Sequence, residues 1–146
     1  MRIQNKLWLR GGFPRSYLAK SDTLSLVWRK NFIRTFLERD LSNFGIGVSP
    51  ESMRKFWKMT AHLNGQPLNL SALAHSMNST HTTAKIYLDV LKGTYMLELV
   101  EPYHSNVAKR LRKTPKVYIA DTGILHALLD IKDMNDLLSH PVAGFS

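Results

Sequence analysis

Cysteine is absent from the 146 residues. That excludes disulfides and thiolate metal ligands, and it fits a reducing compartment, so a cytoplasmic location is expected. Long apolar stretches are missing too. No uncharged apolar run reaches the roughly 18 residues that a membrane helix requires, so no membrane partner is expected. Behind Met1 stand Arg2, Gln4, Asn5 and Lys6 rather than the apolar core of a secretion signal. The Walker A loop, GxSxG, HExxH and GxGxxG are all lacking. Hydrolysis of ATP by this chain is therefore not expected, and the residues present make no complete enzyme site. Acidic residues are scarce, with 11 Asp and Glu against 20 Lys and Arg.

What remains is apolar enough for a core, at 44% hydrophobic residues, and basic, with a formal net charge of +9. Such a charge points to a polyanion such as DNA, or to an acidic protein partner. It is unevenly spread. Residues 1–60 hold twelve basic against four acidic side chains, and residues 101–116 hold Lys109, Arg110, Arg112, Lys113 and Lys116 against Glu101. From Val117 onward the balance reverses, with Lys132 against Asp121, Asp130, Asp133 and Asp136.

Periodicity predicts a mainly α chain. Residues 1–20 show no strong repeat, and Gly11-Gly12-Phe13-Pro14 reads as a turn. A helix is expected over 22–43, with two apolar rows, Trp28/Phe32/Phe36 and Ile33/Leu37/Leu41, ended by Gly45 and Gly47. Two rows exceed one packed face, so this helix should meet neighbours on two sides, and a chain this short need not contain both. Ser49-Pro50 opens a second helix with Met53, Phe56, Trp57 and Thr60 inward, stopped at Asn64-Gly65.

The next stretch is the most informative. Asn69 caps a short helix bearing Leu70, Leu73, Ala74 and Met77, and Asn78 suits the left-handed turn after it. Ser79 is placed to cap the following helix, whose inner face is Ala84, Tyr87, Leu88 and Leu91 and whose end is Gly93. Two short amphipathic helices around a tight turn form a helix-turn-helix. Strands are expected at 95–100 and 116–120, with a basic loop between them and a short third strand at 66–68. The expected class is a winged helix-turn-helix with a small β wing, preceded by two helices. A final helix carries Ile124, Leu125, Leu128 and Leu129, and a polar tail runs to Ser146.

Candidate DNA contacts follow from this layout. Thr80, His81, Thr82, Thr83 and Lys85 face outward at the start of the second helix of the motif, where recognition helices meet base edges. Lys109, Arg110, Arg112 and Lys113 cluster in the wing, suited to phosphates. Capping chemistry and a solvated charge run are the plainer alternatives for the two groups. His62, His75, His81, His104, His126 and His140 show no ligand spacing, so no metal is expected. Asp121 stands after a strand and before a helix, where capping is the simpler role than nuclease chemistry.

A family resemblance sharpens this picture. Leu7-Trp8-Leu9-Arg10-Gly11-Gly12-Phe13-Pro14-Arg15-Ser16 and the run from Trp28 to Asp40 resemble a large prokaryotic group of AAA+ superfamily ATP-binding proteins. So do His81-Thr82-Thr83-Ala84-Lys85-Ile86-Tyr87-Leu88-Asp89, Lys109-Arg110 and the run from Pro115 to Leu129, and the similarity covers nearly the whole chain. The resemblance implies a P-loop ATPase domain followed by a domain of unknown function, a winged helix leading into a restriction-endonuclease-like fold. It implies that residues 1–48 are a linker and long helix packed on the ATPase domain, and that 49–120 are the winged helix. Residues 121–146 would begin a truncated nuclease-like domain. The ATPase half is missing here, so ATP is expected only on that absent domain and no cofactor on this fragment. The glutamate-bearing helix of the nuclease-like fold is missing as well. Asp121 matches the family position after the strand, and Asn78 stands where such turns usually have glycine. A protein partner or self-association is the expected alternative to DNA.

Overall fold

The computed structural model describes residues 2–43, 47–103 and 114–146. In chain order the elements are α1 (Ile3–Arg10), α2 (Pro14–Tyr17), α3 (Asp22–Thr35), a π turn (Phe36–Asp40) and α4 (Leu41–Asn43). Then come α5 (Pro50–His62), α6 (Leu70–Ser76), α7 (His81–Gly93), β1 (Leu97–Val100) and β2 (Lys116–Ile119). α8 (Thr122–Leu128), α9 (Met134–Ser139) and a 3-10 turn (Pro141–Gly144) close the chain. The architecture is mainly helical with a two-stranded antiparallel sheet.

Helix starts follow side-chain capping. Ser21, Ser49, Asn69 and Asp121 each accept a hydrogen bond from the backbone N–H three residues on. The helix expected over 22–43 forms, interrupted only by the π turn, and Gly45 lies outside the described residues. Both apolar rows find partners within the chain. Phe13 packs on Trp28 and Phe32, with ring centroids 5.6 and 4.8 Å apart, and Phe36 meets Trp57 of α5 edge-on at 5.3 Å. The four inward residues of α5, Met53, Phe56, Trp57 and Thr60, are fully buried. Each of the large apolar ones contributes about 1.5–3 kcal/mol by leaving water.

Three local expectations need adjustment. The aperiodic first twenty residues fold as α1 and α2. The polar tail contains α9, capped by Asp133, and a 3-10 turn whose Phe145 carbonyl accepts a bond from Asn64 Nδ2 at 2.7 Å. Residues 66–68 form a single bridge, Pro67 to Lys116, rather than a strand. Proline has no N–H to continue the ladder. The segment still lies along β2, through Val117 N–H to the Gln66 carbonyl at 3.1 Å and Leu68 N–H to the Pro115 carbonyl at 2.9 Å.

α1 is held by its C-terminal carbonyls. The buried guanidinium of Arg29 donates through Nη1 to the carbonyls of Leu9 (3.1 Å) and Gly123 (2.9 Å). His126 Nδ1 lies 3.1 Å from the same Leu9 oxygen, and Ser16 Oγ donates to the Arg10 carbonyl at 2.6 Å. The negative end of a helix is a favourable place for a cation. Burial pulls the Arg29 pKa down to about 10, opposed by the charges of Asp121 and Asp22, so the group remains charged at neutral pH. Around this hub the chain is too close for side chains. A Cβ on Gly123 would run into the Arg10 carbonyl oxygen, and one on Gly11, at φ +78°, into the Asp121 carboxylate.

Two tests follow from the hub. Gly123→Ala should lower the unfolding free energy by about 1–3 kcal/mol, because backbone rather than a side-chain tip must shift, and chemical denaturation reads this directly. His126 donates from Nδ1, which leaves Nε2 bare and unpartnered in the interior. Burial, with the nearby charges of Arg29 and His140, lowers its pKa to about 4 from the usual 6.5. The unfolded chain therefore takes up this proton first. Its contribution is whole above pH 6.5, falls as pH drops toward 4 and levels off below, a loss of about 3 kcal/mol. In His126→Asn, which keeps a donor to Leu9, that part of the pH dependence should vanish from the urea midpoint.

Candidate nucleic-acid interface

The turn between α6 and α7 is built from a few backbone bonds. Ser79 N–H reaches back to the Ala74 carbonyl at 3.0 Å and Asn78 N–H to His75 at 3.0 Å, with Asn78 left-handed at φ +51°. This is a Schellman closure, with asparagine where glycine has no steric penalty. Since Ser79 ends α6 with its N–H, the next residue caps α7. Thr80 Oγ1 accepts from Thr83 N–H at 3.1 Å, so the expected cap at Ser79 falls one residue later. Leu73 and Ala74 of α6 and Ala84 and Leu88 of α7 are buried where the helices meet. Phe56 of α5 meets Tyr87 edge-on at 5.6 Å. The left-handed residue after α7 is Tyr95, at φ +59°, rather than the expected Gly93.

The outward residues divide by what they already bind. Thr80 and Thr83 share a hydroxyl–hydroxyl bond of 2.9 Å in addition to the cap. Lys85 Nζ donates to both carboxylate oxygens of Asp89, at 2.6 and 2.7 Å. His81 and Thr82 are exposed and make no side-chain bond among the described residues. Beside them Ile86 is 42% exposed, an apolar contact on the same helix. Lys109, Arg110, Arg112 and Lys113 lie outside the described residues.

Asp121 has both oxygens in use. Oδ1 accepts from Ile124 N–H at 2.8 Å and Oδ2 from Gly12 N–H at 2.7 Å, so the carboxylate caps α8 and fastens the Gly11-Gly12 turn. Among the described residues no three His, Asp or Glu side chains converge as metal ligands, and no helix is long and apolar enough to cross a membrane. Sequence reading passed over one charged cluster, Lys30, Arg54 and Lys58 around Asp130. Its only local sign is the i, i+4 spacing of Arg54 and Lys58 on the polar face of α5.

A family model described as a domain of unknown function (DUF8612) matches residues 1–135. An uncharacterized protein of Mycobacterium bovis and one of Mycobacterium tuberculosis are each 44% identical over 142 residues, covering 97% of this chain. The chain spans about a third of their length, 32% in each case. No solved structure matches.

The turn makes its own prediction. Asn78→Gly should stabilise the chain by up to about 1 kcal/mol, and Asn78→Ala should destabilise it by about 1 kcal/mol, since only the latter adds a left-handed penalty. Equal denaturation midpoints for the two variants would contradict the left-handed conformation.

Proposed function

The chain belongs to the DUF8612 family of domains of unknown function, and we propose that its residues 49–120 act as a winged helix that binds DNA. The observation that carries this reading is the turn at Asn78, which ends α6 sharply and leaves His81 and Thr82 outward on the first turn of α7. The order of parts supports it as well. α5, the bridge at Pro67, α6, α7 and the β1–β2 pair follow one another as in a winged helix, and the basic residues 109–113 fall between the two strands in sequence. In this reading His81 and Thr82 approach base edges and Lys109, Arg110, Arg112 and Lys113 meet phosphates. Thr80 and Thr83 hold the helix start, and Lys85 reaches DNA only by exchanging Asp89 for a phosphate. We assign no catalytic step to these residues, because both Asp121 oxygens are occupied by backbone N–H groups. Following the resemblance to AAA+ ATP-binding proteins, we take the module to adjoin a P-loop domain in a longer protein, with ATP bound there. Residues 121–146 then lead toward a nuclease-like fold.

A different observation favours a protein-binding role. Ile3 and Leu7 lie four apart on α1 and Leu24 and Val27 three apart on α3, and all four are about half exposed or more. A module wedged between domains, or self-associating, would cover such side chains and direct its charge at protein.

Duplex titration at several salt concentrations separates the two. DNA binding predicts an affinity that falls steeply with salt, and a log–log slope shallower by about two in Arg110→Ala/Arg112→Ala. Thr82→Ala should weaken binding without changing that slope. Absence of duplex binding at low salt, together with concentration-dependent sedimentation, would replace the DNA reading with the interaction reading.

A further inference from the structure

Away from α7, the polar side of α5 and the ends of α3 and α8 border a cleft of about 170 Å³. Lys30, Arg54, Lys58 and Asp130 stand around it over a floor that includes Ile33 and Leu128, both buried. Asp130 bridges the two lysines, 2.7 Å from Lys30 Nζ and 3.0 Å from Lys58 Nζ. Arg54 is exposed and makes no hydrogen bond or ion pair among the described residues.

Asp130 is held where a carboxylate is poorly placed. Its backbone is left-handed, at φ +59°, in the closure of α8 where Ile131 N–H meets the His126 carbonyl at 2.9 Å. Glycine is the usual residue there, and the negative end of the helix dipole repels an anion. What holds the carboxylate is the pair of lysines, and their hydrogen bonds keep it below the ordinary aspartate range. Three cations against one carboxylate leave the cleft with a charge of +2 beside an apolar floor.

We infer that this cleft binds a terminal phosphate dianion, with Asp130 as a resident competitor for Lys30 and Lys58 and Arg54 as the unengaged grip on the ligand. The charge matches, and cations from two helices approach the ligand from different sides. A guanidinium can bond two phosphate oxygens at once while the ammonium groups act as point charges. The volume suits one such group rather than a whole nucleotide. Half-exposed side chains, 49% for Lys30, 47% for Lys58 and 53% for Asp130, leave the ligand an open path. Phosphate binding here is independent of DNA binding by α7.

The test is titration of the whole chain with inorganic phosphate at low chloride, followed by the amide resonances of residues 127–131. Saturable binding is expected. Arg54→Ala should weaken it about tenfold and Asp130→Asn should tighten it about tenfold, the worth of one charge-assisted hydrogen bond removed or set free in each case. Asparagine tolerates the left-handed position, so Asp130→Asn should keep the native circular dichroism. Adenosine monophosphate identifies the source: binding as tight as phosphate indicates a phosphomonoester, weaker binding the free ion, and both support the site. His81→Ala should leave phosphate affinity unchanged, so failure of the α7 reading and failure of this one are separate results. Shifts that grow linearly without saturation, or Asp130→Asn matching the unsubstituted chain, would overturn the proposal. So would duplex DNA occupying the cleft when neither phosphate probe binds.

Discussion

One guanidinium joins parts of the chain that lie far apart in sequence. Arg29 reaches from the middle of α3 to the last turn of α1 and the first turn of α8, bonding carbonyls 20 and 94 residues away. Stripping an arginine of water is costly, by several kcal/mol, unless strong acceptors replace the water. Here they are carbonyls, with the negative end of α1 beside them and Asp121 and Asp22 contributing charge. His126 shares the Leu9 oxygen with Arg29 and so remains neutral. Ser16, Ser25 and Arg10 extend the polar interior, with Arg10 paired to Asp22 at 2.7 Å. Around these contacts the glycines at 11 and 123 admit backbone where no side chain fits.

The exposed start of α7 connects to this hub through α5. Phe56 and Trp57 are neighbours in sequence but turn to different partners, Tyr87 of α7 and Phe36 of the π turn. Asn64, just beyond α5, accepts from Ile119 N–H at 2.8 Å and donates to the Phe145 carbonyl, which ties β2 and the final turn to the same helix. The first turn of α7 therefore projects from a packed support on which its own face is spared. That arrangement agrees with the capping chemistry there, which consumes Thr80 and Thr83 and leaves His81 and Thr82 uncommitted.

Much of this was legible in the chain. Ser49-Pro50, Asn69, Asn78 and Asp121 carry strong local signals, and α5, α6, α7 and α8 fall where these residues and the apolar spacing place them. Elements fixed by distant partners were not legible. α1 has no side-chain cap and little apolar periodicity, and its end is held by Arg29 and His126. The shift of the cap from Ser79 to Thr80 depends on which N–H closes α6, a choice that composition does not encode. The basic cleft depends on Asp130 arriving beside Lys58 from 72 residues away. Two of the five outward α7 residues emerged as structural, because hydroxyl-rich first turns satisfy their own helix before any ligand.

The π turn at Phe36–Asp40 has a consequence for chain length. There Leu41 N–H bonds to the Phe36 carbonyl, so Phe36, Leu37 and Leu41 are all buried although they would diverge on a regular α-helix. Deleting one residue from that stretch would permit an unbroken α-helix and would rotate all that follows by about 100° relative to Arg29. Trp57 would then meet the wrong side of the helix. Residue count within this one turn, as well as residue type, is therefore a condition for bringing α5, and α7 upon it, into phase with the buried guanidinium.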